Sequence, residues 1–108
     1  MLPIIPESAT LSELQQYQAD ICKARGWDKT SDLEAFLLFS EEVGELAKAI
    51  RNRRKLYQET KKESKQEDLA EEFADVLSYL MELANRFEVN LEAAYRDKER
   101  KNSNRTWE

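Results

Sequence analysis

Apolar residues recur at helical spacing along the 108-residue chain and are separated by polar stretches. This pattern predicts four helices, over about Leu11–Arg25, Asp32–Tyr57, Lys65–Arg86 and Leu91–Lys101. The chain has only two glycines and two prolines, and both prolines lie in the first six residues. Because nothing after Pro6 forces a break, the sequence predicts an all-α fold, a four-helix bundle.

Capping signals support these boundaries. A Ser or Thr three residues before a Glu forms a capping box at three predicted helix starts: Thr10–Glu13, Ser31–Glu34 and Ser64–Glu67. Asn90 suits the N-cap of the fourth helix, and Gly26 suits a left-handed cap that ends the first. The segments 26–30, 58–63 and 87–89 are the predicted connections. We therefore expect a single domain over residues 1–108, with flexible segments at 1–9 and 103–108.

Composition excludes several classes of function. The chain has no histidine, one cysteine, 17 Lys+Arg and 22 Asp+Glu, for a net charge of −5. The lack of histidine excludes Ser-His-Asp catalysis and HExxH zinc sites. The single cysteine cannot form an internal disulfide, which favours a reducing compartment. The acidic balance disfavours binding to nucleic acid, and no apolar run approaches the roughly 18 residues of a membrane span. We expect a cytoplasmic protein without nucleic-acid or membrane partners.

Acidic residues within the second helix carry the candidate chemistry. They form the motif Glu41-Glu42-x-x-Glu45, in which Glu42 and Glu45 lie about 60° apart around the helix. Apolar residues share their direction: Ala35, Leu38 and Ala49. Charged groups are rare in an apolar stripe unless they are paired. Gly44 lies inside this motif and costs about 1 kcal/mol relative to alanine, so we expect close helix packing beside the acids.

The third predicted helix contains a second acidic pair at the same three-residue spacing, Glu72 and Asp75. Tyr79 lies on the same face one turn later. The two acidic pairs are separated by 26 residues, 46–71, which suits an antiparallel return. If the helices pack in this way, four carboxylates converge, and their repulsion requires a cation. An all-oxygen site suits Mg²⁺ or Mn²⁺. The alternative is that these acids are solvated helix faces paired with nearby lysines.

The combined pattern resembles the signature of the MazG-like nucleotide pyrophosphohydrolases. Its core is Glu41-Glu42-x-x-Glu45 followed by Glu72-x-x-Asp75, and the resemblance extends roughly from residue 27 to residue 107. Further matching segments are Glu42-Val-Gly-Glu45-Leu-Ala, Asp75-Val-Leu-Ser-Tyr79-Leu, Asn90-Leu-Glu-Ala-Ala and Lys98-x-x-x-Asn102. The single-domain form looks closest to the dCTP-pyrophosphatase-like branch.

The resemblance implies an all-α, Mg²⁺-dependent enzyme that cleaves nucleoside triphosphates to the monophosphate and pyrophosphate. It assigns the metal to four carboxylates: Glu42, Glu45, Glu72 and Asp75. Glu41 would be an accessory ligand or would orient the attacking water. Lys98 and Asn102, with help from Arg105, would contact the phosphates or sugar, and Trp27 and Tyr79 would contact the base. The resemblance also implies a homodimer or homotetramer, as does the small core of so short a chain.

Other interpretations remain open. The dCTP-preferring branch has an aromatic residue about one turn beyond the acidic motif, where this chain has the basic stretch 51–55. The base preference therefore does not transfer. A non-catalytic helical dimerisation or adaptor module would also explain the pattern, as would the same metal fold acting on another phosphorylated nucleotide.

Overall fold

The computed structural model of the chain describes residues 2–54 and 68–105. These residues form four α-helices and a short 3-10 turn, Trp27–Lys29, and contain no strand. The helices are α1 (Leu11–Arg25), α2 (Asp32–Arg53), α3 (Leu69–Arg86) and α4 (Leu91–Ser103). The predicted all-α fold is confirmed. No helix within the described ranges is long and apolar enough to span a membrane.

Local capping chemistry sets the starts of α1 and α2. The Thr10 hydroxyl accepts a hydrogen bond from the Glu13 amide, and the Glu13 carboxylate accepts one from the Thr10 amide, both at 3.1 Å. Ser31 and Glu34 form the same reciprocal pair at 3.1 and 3.0 Å. Gly26 ends α1 with φ = 73°, the left-handed conformation that glycine adopts without strain. These predicted boundaries are therefore confirmed.

The other helix boundaries differ from the sequence-based ones. α2 ends at Arg53, with Arg54 as its C-cap, and the predicted end at Tyr57 lies outside the described residues. The predicted start at Lys65 and its capping box, Ser64–Glu67, also lie outside them. α3 begins at Leu69, where the preceding Asp68 carboxylate accepts a hydrogen bond from the Ala70 amide at 2.9 Å. α4 continues two residues beyond its predicted end, to Ser103.

The chain divides into two compact units. The terminal unit contains residues 1–30 and 81–108, and the central unit contains Ser31–Leu80. Among the described residues of the terminal unit, the buried side chains come from α1 and from the end of α3: Gln15, Ile21, Cys22, Met81 and Ala84. In the central unit the buried residues among those described are Ala35 and Ala49, both on α2.

Polar contacts fix the connections within the terminal unit. Arg86, in the last turn of α3, donates from both guanidinium NH₂ groups to Thr30, reaching its carbonyl oxygen and, at 2.8 Å, its hydroxyl. The Nε of Arg86 also pairs with Glu82 at 3.2 Å. Ser12 donates from its amide to the Glu92 carboxylate at 3.0 Å, which joins the start of α1 to the start of α4. Each element of this unit is thus tied to a segment distant in sequence.

Candidate metal centre

Three carboxylates meet within the central unit. Glu42 comes from α2, and Glu72 and Asp75 come from α3. One oxygen from each lies within 4.8 Å of the others. Glu42 and Glu72 are half-buried, whereas Asp75 is exposed. The arrangement is therefore a carboxylate cluster with one side open to solvent.

The helical repeat explains why these side chains meet. Glu72 and Asp75 are three residues apart and share one face of α3. Glu42 points in nearly the same direction as the buried Ala35 and Ala49, each within about 20° around α2. Glu42 therefore lies on the buried face of α2. The acid is directed inward by the register of the helix and not by a special loop.

The electrostatic environment of Glu42 is unfavourable to its charge. Burial raises the pKa of the Glu42 carboxyl above its usual range, and the charges of Asp75 and Glu72 raise it further. Glu41 and Glu45 add smaller contributions in the same direction. Repulsion among close carboxylates in a partly desolvated site disfavours their ionised forms unless a cation neutralises them. The cluster therefore concentrates negative charge, which a bound cation would neutralise.

The geometry of the three oxygens fits a hard divalent cation. Oxygen ligands lie about 2.0–2.1 Å from Mg²⁺ and about 2.3–2.6 Å from Ca²⁺, so two ligands of one ion are at most about 4.2 Å apart around Mg²⁺ and about 5.2 Å around Ca²⁺. The three oxygens lie within 4.8 Å of one another, which is inside the range for Ca²⁺, and a small side-chain movement would bring them within the range for Mg²⁺. An all-carboxylate donor set favours Mg²⁺, Mn²⁺ or Ca²⁺ over softer metals, which prefer sulfur or imidazole. The cluster is therefore a candidate site for a hard cation.

The other two acids of the motif lie at the edge of this cluster. Glu45, predicted as a fourth ligand, is exposed and is not one of the three residues whose oxygens meet. It lies about 60° around α2 from Glu42, and Glu41 lies about 100° away in the same direction. Both are close enough to act on Glu42 through their charge. The ligand role of Glu45 and the water-orienting role of Glu41 stay predictions.

The predicted substrate-binding residues fall in both units. Tyr79 belongs to the central unit, where it is half-buried one turn beyond Asp75. Trp27, Lys98 and Asn102 belong to the terminal unit. Lys98 is exposed and Asn102 half-buried, one turn apart on α4. The contacts of all four with a substrate stay predictions.

Trp27 is exposed and lies next to Arg25. Its side chain is 58% exposed, and the Arg25 guanidinium lies 4.8 Å from the centre of its ring. That distance is typical of a cation–π contact. Arg86 anchors the end of the same loop through Thr30, a positioning role that the sequence analysis missed. The local sequence signal for Arg86 was its spacing of four residues from Glu82. Such acid–base pairs are common on exposed helices, so the spacing does not indicate a contact with Thr30.

The fold and the cluster together describe an all-α protein with a candidate carboxylate site for a cation. A family model, the MazG nucleotide pyrophosphohydrolase domain, matches residues 31–107. The chain belongs to this family. No curated protein and no solved structure gives a significant match to it. The match includes all three clustered carboxylates and supports nucleotide pyrophosphohydrolase activity at the level of the family.

Proposed function

We propose that the protein hydrolyses nucleoside or deoxynucleoside triphosphates to the monophosphate and pyrophosphate with the help of Mg²⁺. The observation that carries this proposal is the meeting of Glu42, Glu72 and Asp75 within 4.8 Å. The family match supplies the class of reaction. Mn²⁺ satisfies the same oxygen ligands and is expected to substitute.

Each clustered carboxylate has a defined part in this mechanism. Glu42, Glu72 and Asp75 would hold the cation, which when bound supplies charge neutralisation for the phosphates and a more acidic bound water. The water oxygen attacks the α-phosphorus, the bond from that phosphorus to the bridging oxygen breaks, and pyrophosphate leaves. Glu41 lies beside Glu42 and is exposed, so it can orient that water and accept its proton, and Glu45 would be a fourth ligand of the cation.

The remaining residues are assigned to substrate binding. Lys98 and Asn102 share one face of α4 and present a positive charge and an amide for the phosphates or sugar, with Arg105 after the helix. Trp27 offers an exposed aromatic ring for stacking against a base. Tyr79 lies on the α3 face that carries Asp75 and would form the substrate side of the metal site.

The decisive experiment measures pyrophosphate release from a panel of ribo- and deoxyribonucleoside triphosphates, with Mg²⁺ and with a chelator. We expect Mg²⁺-dependent release that Glu42→Gln and Glu72→Gln each reduce by about 100-fold or more, the scale of removing a metal ligand or its partner. Glu71→Gln is the matched control, because Glu71 is exposed, adjacent to Glu72 and outside the cluster. Folded Glu42→Gln and Glu72→Gln proteins with full activity would refute the mechanism.

The same panel separates the alternatives. Turnover of a nucleoside diphosphate or a modified nucleotide, with none for the triphosphates, would keep the metal site and change the substrate. No turnover with any nucleotide would favour a non-catalytic helical module. One observation fits that second reading: Phe36, Leu37 and Phe73 are all more than half exposed in the central unit.

A further inference from the structure

The loop that carries Trp27, residues 26–30, is fixed at both ends. At its start, the Gly26 amide donates hydrogen bonds to two carbonyl oxygens in the last turn of α1. At its end, the Arg86 guanidinium donates to the carbonyl oxygen and to the hydroxyl of Thr30. The backbone on either side of Trp27 therefore has a defined place, although Trp27 itself is 58% exposed.

Arg86 is an energetically costly residue with which to hold a surface loop. Its side chain is 12% exposed, and that of its ion-pair partner Glu82 is 13% exposed. Taking two charges out of water costs free energy that their attraction does not reliably return, so a buried ion pair is weak evidence of added stability. What an arginine supplies is geometry, because its planar fork makes two hydrogen bonds to one residue, which lysine cannot reproduce. The fork fixes both the position and the orientation of Thr30.

Arg25 restrains the Trp27 ring itself. Its guanidinium lies over one ring face, 4.8 Å from the ring centre, in a cation–π contact. At that distance no nucleobase fits between the guanidinium and the ring. The exposed surface of Trp27 is therefore on the other ring face and the ring edges, and a base can stack on one side only.

The proposed reaction gives this arrangement a use. An aromatic side chain can stack on any base, because every base has a π-face. Ordering a side chain or a loop during binding lowers affinity, so a ring that is already in place binds more tightly than a mobile one. We infer that Arg86 and Arg25 are positioning residues for the nucleotide base: Arg86 fixes the loop, and Arg25 fixes the ring. The inference rests on the proposed function, which supplies the nucleotide.

The contacts of Arg86 distinguish this role from phosphate binding. Its three guanidinium nitrogens all donate to protein atoms, Nε to Glu82 and the other two to Thr30. Its charge is thus already neutralised by a carboxylate inside its own unit. Arg86 acts through Thr30 and the loop, and the nucleotide needs no contact with it.

Calorimetric titration of the full chain with uncleavable nucleotides tests the inference. The probes are α,β-methylene analogues of ribo- and deoxyribonucleoside triphosphates, added with Mg²⁺, and inorganic tripolyphosphate is the reference without a base. Trp27→Ala should weaken binding of the preferred analogue by about tenfold or more, the scale of losing one stacked base. Arg86→Met and Arg25→Gln should each weaken it by about threefold or more. Tripolyphosphate binding should not change in any of them.

A double-mutant cycle separates positioning from a general effect. Arg86→Met should have no further effect in the Trp27→Ala protein, because Arg86 acts through the ring. Arg86→Lys should fall between the wild type and Arg86→Met, since an ammonium group keeps the charge but not the fork.

A milder variant keeps the test valid if Arg86→Met does not fold, because loss of Arg86 leaves the Glu82 carboxylate buried without this ion pair. Thr30→Val keeps the ion pair and removes the hydroxyl that accepts from Arg86. It should weaken analogue binding in the same direction, by about twofold or more. Arg96→Met is the matched control, since Arg96 also pairs with a glutamate four residues earlier, at 3.4 Å, but is 67% exposed on α4. It should bind the analogue like the wild type.

Fluorescence tests the placement of the ring without any nucleotide. Trp107→Phe leaves Trp27 as the sole tryptophan. In this background the emission anisotropy should fall with Arg86→Met and with Arg25→Gln, because the ring gains motion on the nanosecond timescale. Arg96→Met should leave the anisotropy unchanged.

The proposed function and the inference fail in different ways. A wild type that releases no pyrophosphate would refute the proposed function, and analogue binding and anisotropy would still decide the inference. The inference would be overturned by a wild type that binds no analogue, or by unchanged binding in both Arg86→Met and Thr30→Val. Additive effects in the double variant, equal weakening of tripolyphosphate binding, or unchanged anisotropy would also overturn it, even if the wild type hydrolyses triphosphates.

Discussion

Gln15 and Asn85 hold each other through reciprocal hydrogen bonds. The Gln15 side-chain NH₂ donates to the Asn85 side-chain oxygen at 3.0 Å. The Asn85 side-chain NH₂ donates to the backbone carbonyl oxygen of Gln15 at 3.1 Å. Gln15 also donates to the Val89 carbonyl at 2.7 Å and accepts from the Leu91 amide at 2.9 Å. One buried amide thereby joins α1 to the end of α3, the following turn and the start of α4.

Loss of this buried amide is expected to destabilise the fold strongly. Gln15 is 5% exposed, so Gln15→Ala leaves the Val89 carbonyl and the Leu91 amide, whose hydrogen bonds are part-buried, without their partner. Each unsatisfied buried group costs about 1–3 kcal/mol, so we expect a loss of about 2–4 kcal/mol in the free energy of unfolding. Urea denaturation measures it. Gln16→Ala is the control, because Gln16 is exposed and its side chain donates a hydrogen bond within its own helix, to Asp20.

The three clustered carboxylates are expected to destabilise the folded protein when no cation neutralises their charge. The raised pKa of Glu42 means that its ionised form is disfavoured in the folded protein, so at neutral pH this charge lowers stability. Glu42→Gln should therefore stabilise the metal-free protein by about 0.5–1 kcal/mol, as removal of active-site strain often does. It should also reduce the stabilisation that added Mg²⁺ gives the wild-type protein.

Thermal unfolding with Mg²⁺ and with a chelator checks both effects. Glu71→Gln should behave like the wild type in both conditions, since Glu71 lies outside the cluster. A Glu42→Gln protein that melts lower than the wild type in chelator, and still gains fully from Mg²⁺, would show that Glu42 is a structural residue and not a metal ligand.

Local chemistry explains which features the sequence could predict. The starts of α1 and α2 follow from capping boxes whose partners are three residues apart, so no distant part of the chain is needed to specify them. The pair Glu72 and Asp75 follows from helical spacing in the same way. The inward direction of Glu42 follows from the apolar positions around it, such as Ala35 and Ala49.

Features that join distant segments could not be predicted in this way. The Gln15–Asn85 pair spans 70 residues, and Gln15 alone looks like an ordinary polar position of an amphipathic helix. Whether Glu45 joins the three clustered carboxylates depends on the relative placement of α2 and α3, which spacing within α2 does not determine. The exposure of Leu33, Phe36 and Leu37 on α2 was missed because apolar residues of a helix, taken by sequence alone, are indistinguishable from core.

The contact between Ser12 and Glu92 should make stability depend on acid pH. The Ser12 amide donates to the Glu92 carboxylate, and this bond, with a further contribution from Arg96, holds the Glu92 pKa below its usual range. A carboxyl with a lowered folded-state pKa contributes stability above its unfolded pKa and loses that contribution as the pH falls through the folded-state pKa. The contact should thus stabilise the protein at pH 7 and fail in acid.

Comparison of the wild type with Glu92→Gln isolates this effect. The wild type should be the more stable at neutral pH, and the difference should shrink in acid, because protonated Glu92 is neutral like glutamine. Urea midpoints across the acid range measure it, with Glu99→Gln as the control at an exposed position of α4. A stability difference independent of pH would show that the charge of Glu92 contributes nothing.

The single cysteine is expected to resist modification in the folded protein. Burial and then the nearby Glu82 carboxylate raise the pKa of the Cys22 thiol, a hydrogen bond from Gln18 opposes them, and the net result is a pKa of about 11. At pH 8 about one thiol in a thousand is then ionised, and the thiolate is the reactive form. Alkylation by iodoacetamide should therefore be slow in the native protein and rapid in denaturant.

Glu82→Gln separates the effect of charge from that of access. This substitution removes the negative charge beside the thiol, which lowers the Cys22 pKa, and should accelerate alkylation at a given pH while the protein stays folded. It also breaks the ion pair with Arg86, so Arg86→Gln serves as the control for that loss, and it removes the hydrogen bonds from Arg86 to Thr30 as well. If Arg86→Gln accelerates alkylation as much as Glu82→Gln, local opening and not the carboxylate charge controls the reactivity of Cys22.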